Sequence, residues 1–457
     1  MINLYAKRLW KSPAGPAIFY LVLGIGNLYL TWQGWQYLFV DAGRDYFLAW
    51  RVLEGEALYA DYYHQFGPAG PMAAWAVFKV FGVHLKFLTG FNILLLAVTL
   101  FFLYHTLRAF TSRRNAHIGT LFFLGCFALQ ANPLNMNYVH SYAYAASLGI
   151  FFSLGCLYFM QKSLGKKGVW TPAVAGLFFA FALVTKIEIT VAVSILFLFY
   201  FLVLVRLRRF VNLAPFVMGM VIGLGAVTTW LCATSLPLGE IAQLTQSALS
   251  KIFAIASASM DPTQNPFRAG LSGFDDVEGN LKIMFVQFFY ILVLAGLLYW
   301  AAVYRWEQYR ASWYGWLGLV LLGIFLSLQE GPFHSVPIFL VIVGTVALVW
   351  LKFPHWRTRE NDSWLDKLIK LCVIPLANGA AGMRIGLWSA LLFMTLALSL
   401  SLRIVMKITF YHYSVYLGSL AICFVLVYAF AWADSLTHRK IGSRKMIIAL
   451  GIMVIAL

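Results

Sequence analysis

Residues 17–40 read AIFYLVLGIGNLYLTWQGWQYLFV, and DAGRDYFLAW (41–50) follows at once. The first run contains no charged residue. As a helix rising about 1.5 Å per residue it extends about 36 Å, enough to cross a hydrocarbon core about 30 Å thick. The second run opens on carboxylates, Asp41 and then Asp45, at the place where such a span would leave the membrane. Working outward from this junction gives the organisation of the rest of the chain.

Apolar runs of the same kind recur at roughly 87–107, 115–131, 141–160, 171–185, 188–205, 211–234, 283–304, 313–329, 333–351, 385–402, 413–433 and 446–457, each bound being good to a few residues. Of the 457 residues, 61% are hydrophobic and 11% are charged, where a soluble domain carries about 25% charged residues. Continuous runs favour helices over the alternating segments of a barrel, because a helix pairs its own backbone groups inside lipid. The expected fold is all-α, a single polytopic membrane domain over residues 1–457 with about 12–13 transmembrane helices. The last run is too short to cross, so the expectation is a fragment or a trimmed end. The first run lacks a small-residue cleavage site and reads as a retained span.

The formal charge of +17 would suggest nucleic acid in a soluble protein, but here it does not. With the N-terminus inside, roughly seven in ten of the Lys and Arg residues fall in the inner turns, and a similar share of the acids falls outside, as the positive-inside rule expects. The five cysteines (Cys126, Cys156, Cys232, Cys372 and Cys423) show neither metal spacing nor a disulfide framework. Two outer loops are long, 41–86 and 235–282. Within the first, 43–54 and 71–81 have helical amphipathicity, with Gly55 and Gly82 as stops and Pro71 as an opener. Tyr46, Phe47, Ala49, Trp50 and Leu53 can share one side that lies in the membrane interface. Ile241, Leu244, Leu249, Ile252 and Phe253 suggest a further such helix in the second loop.

Several residues have the chemistry of a site. Asp41 stands at the end of a span, where an acid is costly and a functional role gains weight. Lys186 and Glu188, in LVTKIEITV (183–191), interrupt an apolar stretch whose two flanks are both basic. That pattern reads as a hairpin of two short spans. The first arm reaches only about 21–23 Å, so the turn sits below the outer surface. The pair either compensates itself or meets a ligand's phosphate or sugar ring. His334, beside Glu330 in QEGPFH, and Arg268, Arg403 and Lys407 are phosphate candidates, Arg offering a bidentate fork. A lone His at an interface is more often structural, and each Arg or Lys also has an ordinary explanation as a headgroup contact. Asn132, Asn135, Asn137, Tyr138, His140 and Tyr142 suit sugar hydroxyls and are also normal interface residues.

The order of an apolar span, Asp, a Tyr-x-x-Ala helix, Gly-Glu-x-Leu-Tyr, Asp and Gly-Pro, here DAGRDYFLAWRVLEGEALYADYYHQFGP (41–68), resembles the first outer loop of the C-type membrane glycosyltransferases. These are relatives of the protein O-mannosyltransferases and aminoarabinose transferases. The layout of spans and long outer loops is similar too. The resemblance implies a transferase that takes a sugar from a polyprenyl-phosphate donor at the outer face, with Asp41 as general base. A hydroxyl attacking an anomeric carbon must lose a proton, and a carboxylate within reach can accept it. Arg44, Asp45, Asp61, His64, Lys186, Glu188, Arg268, Glu330 and His334 are the substrate-binding candidates. Position 42 is Ala where many relatives have a second acid, and Gly67-Pro68 stands where the aminoarabinose branch has Pro-Pro. Neither long outer loop carries the Asp-x-Asp of the oligosaccharyltransferase branch, Asp276-Val-Glu278 being a weak echo. No metal and no cofactor are therefore expected. The expected partners are the lipid-linked sugar, membrane lipids and an unknown glycan, lipid or protein acceptor. The expected location is the bacterial inner membrane with a cytoplasmic N-terminus; an endoplasmic-reticulum protein would share this topology. The competing readings are a transporter or lipid flippase for a glycan or glycolipid, and a non-catalytic scaffold.

Overall fold

The computed structural model describes residues 14–32, 41–62, 64, 66–129, 137–141, 143–165, 168–234, 383–401 and, between 417 and 427, all but 422 and 425. These residues are mostly helical, and among them no named strand occurs. In chain order the helices are α1 (Ala14–Thr31), α2 (Asp41–Leu53), α3 (Ala69–Phe81), α4 (Leu85–Arg108), α5 (Arg113–Phe123), α6 (Tyr144–Gly165), α7 (Trp170–Leu183), α8 (Ile187–Arg206), α9 (Leu213–Ala233) and α10 (Met383–Ser401). A π turn, Leu124–Ala128, extends α5. Four stretches are long and apolar enough to cross a membrane: Leu85–Arg108, Tyr144–Gly165, Ile187–Arg206 and Phe210–Ala233. The spans expected at 283–304, 313–329, 333–351 and 446–457, and the amphipathic helix of the second long loop, lie outside the described residues.

Side-chain contacts fix the relative directions of α6 to α9. Gly149 of α6 meets Thr185 and Ile189, whereas Gly155 meets Phe178, so α7 runs antiparallel to α6. Ser163, near the far end of α6, bonds Tyr200 of α8 at 2.6 Å, so α8 runs parallel to α6. The α7–α8 segment is therefore a hairpin turning at 184–186, as its doubly basic flanks predict. α9 returns beside α7 in the same direction and at very close range. A β-carbon on Gly176 would collide with the Phe216 carbonyl, and one on Gly219 with that of Ala173. Small residues at such crossings let two backbones touch and gain dispersion contacts that larger side chains would prevent.

The two ends of the bundle differ in charge. The α2–α3 loop, the start of α6 and the 184–186 turn lie together at one end, and every described carboxylic acid is there: Asp41, Asp45, Glu54, Glu56, Asp61 and Glu188. The other end carries Arg108, Arg113, Arg114, Lys162, Arg206, Arg208 and Arg209 with no described acid. Ser112 caps α5 at this basic end, accepting from the Asn115 N–H at 3.2 Å.

In the first loop, α2 stops at Leu53 and Gly55 turns the chain at φ +98°; Gly82 likewise follows α3 at φ +90°. α3 begins at Ala69, two residues before Pro71, whose missing N–H is harmless within a first turn. One expectation is corrected. Tyr46, Phe47, Ala49, Trp50 and Leu53 do not share a side. Tyr46 and Ala49, with Leu53 beside them, pack with α3, α4 and α6, and Leu48 and Val52 pack against Val227, Trp230 and Leu231 of α9. Phe47 and Trp50 stay exposed. At about 100° per residue, Leu48, Val52, Asp45, Ala49, Leu53 and Tyr46 fall within about half of the circumference, and Phe47 and Trp50 fall on the other half.

Candidate functional site

Two segments far apart in sequence meet at the acidic end. Residues 66–69 lie as a strap across the 184–186 turn: the Gly67 N–H donates to the Thr185 carbonyl at 2.7 Å, and the Ala69 N–H donates to that of Val184 at 3.1 Å. Helix α7 ends at Leu183, so its last carbonyls have no partner within the helix. Phe181 and Ala182 accept from the Val184 and Thr185 N–H groups, Leu183 accepts from the Thr190 hydroxyl at 2.8 Å, and the strap satisfies the next two carbonyls, Val184 and Thr185. Gly67 is required by this approach, because a β-carbon on it would strike the Val184 carbonyl. Pro68 between the two donors has no N–H to leave unpaired.

The strap presents Phe66, around which the charged candidates gather. The Arg44 guanidinium carbon lies 5.0 Å from the ring centroid and the Lys186 ammonium 5.1 Å, both within cation–π range. Lys186 Nζ is 3.5 Å from Glu188 Oε1. Asp45 is fully buried, and its Oδ1 lies 3.9 Å from His64 Nε2. That nitrogen is closer to the Gly67 carbonyl, at 3.3 Å. Burial, and then the positive charge of Arg44, push the His64 imidazole down to about 4, so it is neutral at physiological pH. The Asp45–His64 contact is thus a carboxylate beside a neutral ring. Asp45 also lies against the first turn of α3, where a β-carbon on Gly70 would come within 2.9 Å of Oδ2. The partial positive charge of a helix N-terminus suits a carboxylate at that place.

Tyr59 holds the strap from the other side. It adopts φ +77°, uncommon for a residue with a bulky side chain, and its hydroxyl donates to the Phe66 carbonyl at 2.8 Å. Burial and the nearby Asp45 raise its phenol above the ordinary value.

A second polar group lies behind α2. Thr89 donates its one hydroxyl proton to the Leu85 carbonyl at 2.8 Å, so its 2.7 Å contact with His140 runs from Nε2–H to the Thr89 oxygen. His140 Nδ1 then accepts from the Tyr46 hydroxyl at 3.4 Å. Burial pushes this imidazole down to about 4. Asn92 continues the group, donating to the Val139 carbonyl at 2.6 Å and accepting from the Tyr144 hydroxyl at 2.9 Å. Asn137 accepts from the backbone of Val139 and His140. These bonds use up most of the capacity that could have met sugar hydroxyls. The adjoining cavity encloses about 10 Å³, the room of about one water molecule.

Of the candidates read from sequence, Arg44, Asp45, His64, Lys186 and Glu188 come together. Asp41 is the first residue of α2, one turn before Asp45. Asp61 is exposed and local, accepting from the Ala57 N–H at 2.7 Å. Arg51 pairs with Glu56 and donates to the Tyr62 hydroxyl at 3.0 Å, so Glu56 braces the loop. Arg268, Glu330, His334, Arg403 and Lys407 lie outside the described residues, as do Asn132, Asn135 and Tyr142. Phe66 and Tyr59 were not anticipated; the Gly67-Pro68 step beside Phe66 was the available signal of a close backbone approach. Among the described residues, no cluster of His, Cys, Asp and Glu could hold a metal.

Comparison with family models finds no match. Curated proteins and solved structures likewise give none.

Proposed function

We propose that the protein is an integral membrane glycosyltransferase. It moves a sugar from a polyprenyl-phosphate donor to an acceptor at the extracytoplasmic face. The observation that carries this reading is the Phe66 group. Two cations, two carboxylates and a neutral imidazole from separate segments converge at one end of a helical bundle, where burying them is expensive without a ligand or a mutual role. The segregation of charge supports the direction: the acid-bearing end is the outer one, and the basic end faces the cytoplasm. The full chain has about 12–13 spans in this reading, in a bacterial inner membrane.

Asp41 opens α2 beside this group and is the proposed base. It takes the acceptor hydroxyl's proton as the oxygen bonds the anomeric carbon, and the bond to phosphate breaks with its electron pair leaving on the polyprenyl phosphate. The Phe66 group meets the donor's head, its phosphate or its sugar ring. The test is release of polyprenyl phosphate, followed by mass spectrometry, from a panel of polyprenyl-phosphate sugars with mixed acceptors. Wild type releases it and Asp41→Asn, folded and inserted, does not. Release by the variant at the wild-type rate removes Asp41 from the mechanism.

A further inference from the structure

The α3–α4 turn lies at the acidic end of the bundle: Thr89, one turn into α4, meets His140, which meets Tyr46 of α2. Its own charge is the opposite. Lys79, His84 and Lys86 are all exposed there, and the sequence has no Asp or Glu from residue 62 to residue 187. Neither lysine forms an ion pair among the described residues. The Lys79 ammonium lies 4.5 Å from the Trp75 ring centroid. His84 Nδ1 accepts from the Lys86 N–H at 3.1 Å, which puts the ring's proton on Nε2 as a third outward donor.

Beside these donors the turn exposes apolar side chains. Val80, Phe81 and Val83 are more than half exposed and Phe87 nearly half, and the Phe81 and Phe87 rings stack with centroids 5.6 Å apart. The patch continues into α4, where Phe87, Gly90, Leu94, Ala97 and Phe101, spaced three and four apart, form one exposed stripe. No Asp, Glu, Lys or Arg stands between Lys86 and Arg108. The helix rises about 33 Å between those two cations, close to the thickness of a hydrocarbon core. Lys86 therefore falls at the level of lipid phosphates, with Phe81 and Val83 at the edge of the acyl chains. A patch of this size, rimmed by donors, marks a contact surface.

The other exposed aromatics at this end, Phe47 and Trp50, stand among acids: Trp50 Nε1 donates to Glu54 at 3.2 Å, and Glu56 and Asp61 follow in the same loop. A negatively charged lipid surface is repelled there and attracted to the α3–α4 turn. We propose that this turn is a docking surface for anionic phospholipid, its phosphate held by Lys79, His84 and Lys86 and its acyl chains lying against Phe81, Val83 and Phe87. The proposal rests on the reading of α4 as a membrane span and needs nothing from the transferase chemistry.

The test follows His84 by NMR in ¹⁵N-histidine-labelled protein, its signal being the one lost in His84→Gln. In a neutral detergent, phosphatidylglycerol should shift this signal saturably. Lys79→Gln/Lys86→Gln should weaken that binding about thirtyfold, each lysine near an anionic surface contributing a factor of about five. The same shift from phosphatidylcholine, the same shift from inorganic phosphate at equal concentration, no shift with phosphatidylglycerol, or an unchanged titration in the double variant would each overturn the proposal. In nanodiscs, a lipid carrying a nitroxide high on its acyl chain should broaden the His84 signal. Broadening by a water-soluble paramagnetic ion instead would put the turn in water and overturn the proposal as well. Neither measurement uses a sugar lipid, so the proposal can fail while polyprenyl-phosphate release still decides the transferase reading.

Discussion

Helix α8 ends in two turns built from the same kinds of residue to opposite effect. At its start, Lys186 and Glu188 are held among Phe66, Arg44 and the strap, Lys186 being only 3% exposed. At its finish, Arg206 and Arg208 are exposed and Arg209 is tied down, donating to the Ser163 carbonyl at 3.2 Å beside Asn212, which donates to the same oxygen at 3.1 Å. That turn closes with its own backbone: Arg209 N–H reaches Leu204 at 2.8 Å and Arg208 N–H reaches Val205 at 3.1 Å, the two bonds of a Schellman motif. The 184–186 turn also makes bonds of its own, Thr185 N–H to Ala182 at 3.2 Å and Val184 N–H to Phe181 at 3.3 Å, but its Val184 and Thr185 carbonyls take their donors from residues 69 and 67. A turn that needs only to connect helices satisfies itself. One completed by a distant segment brings that segment's side chains with it, and here those side chains form the candidate site.

The largest test of this contrast replaces a lysine and an arginine by methionine. Lys186→Met breaks a buried charge set and should cost about 3–5 kcal/mol. Arg206→Met, at an exposed position, should stay within about 0.5 kcal/mol. Thermal unfolding in detergent measures both, and equal losses would erase the distinction.

Acid should weaken the acidic end selectively. His64 and His140 each stand at about 4 in the folded protein, below the ordinary histidine value of about 6.5. The unfolded chain therefore binds more protons between those values, and stability falls as pH is lowered from 6.5 toward 4. Each histidine should account for about 2 kcal/mol lost between pH 6.5 and 5. The pH dependence of the melting temperature should flatten in His64→Gln and in His140→Gln. An unchanged slope would mean that neither ring is held neutral.

Gly67→Ala sharpens the comparison further. The added methyl meets the Val184 carbonyl, so the strap must lift. A loss of about 2 kcal/mol is expected, together with faster hydrogen exchange of the Gly67 and Ala69 positions. The smallest effect is a gain at the other turn. Arg208 adopts φ +54°, a conformation that costs a side-chain-bearing residue about 1 kcal/mol. Arg208→Gly should recover up to that amount, less glycine's own entropy, as a small rise in melting temperature.

Much of the helical framework is legible in the sequence. Uncharged runs between basic clusters gave α4 and α6 to α10 to within a few residues, and the doubly basic flanks of 171–205 revealed the hairpin. Lys186 and Glu188 stood out because charge inside an apolar stretch is rare. Phe66 did not, because its partners lie on both sides of it in sequence, Arg44 at a distance of one loop and Lys186 across five helices, α3 to α7. Periodicity reports only local faces. The same limit explains Phe47 and Trp50: the apolar side expected on α2 includes them, whereas the side that α2 buries is set by two neighbours, α3, α4 and α6 against Tyr46 and Ala49 and α9 against Leu48 and Val52. His140 shows a different limit. A polar residue in an interfacial turn reads alike whether it meets a ligand or, as here, Thr89 and Tyr46.

The central claim is that the acidic end handles a lipid-linked sugar while the basic end only connects helices. The most direct measurement is polyprenyl-phosphate release by wild type, Glu188→Gln and Arg206→Gln, reconstituted side by side with the same donors and acceptors. Release by wild type and Arg206→Gln, with release by Glu188→Gln reduced at least about tenfold, is the result this account predicts. No release by wild type from any donor, or equal release by all three proteins, would contradict it.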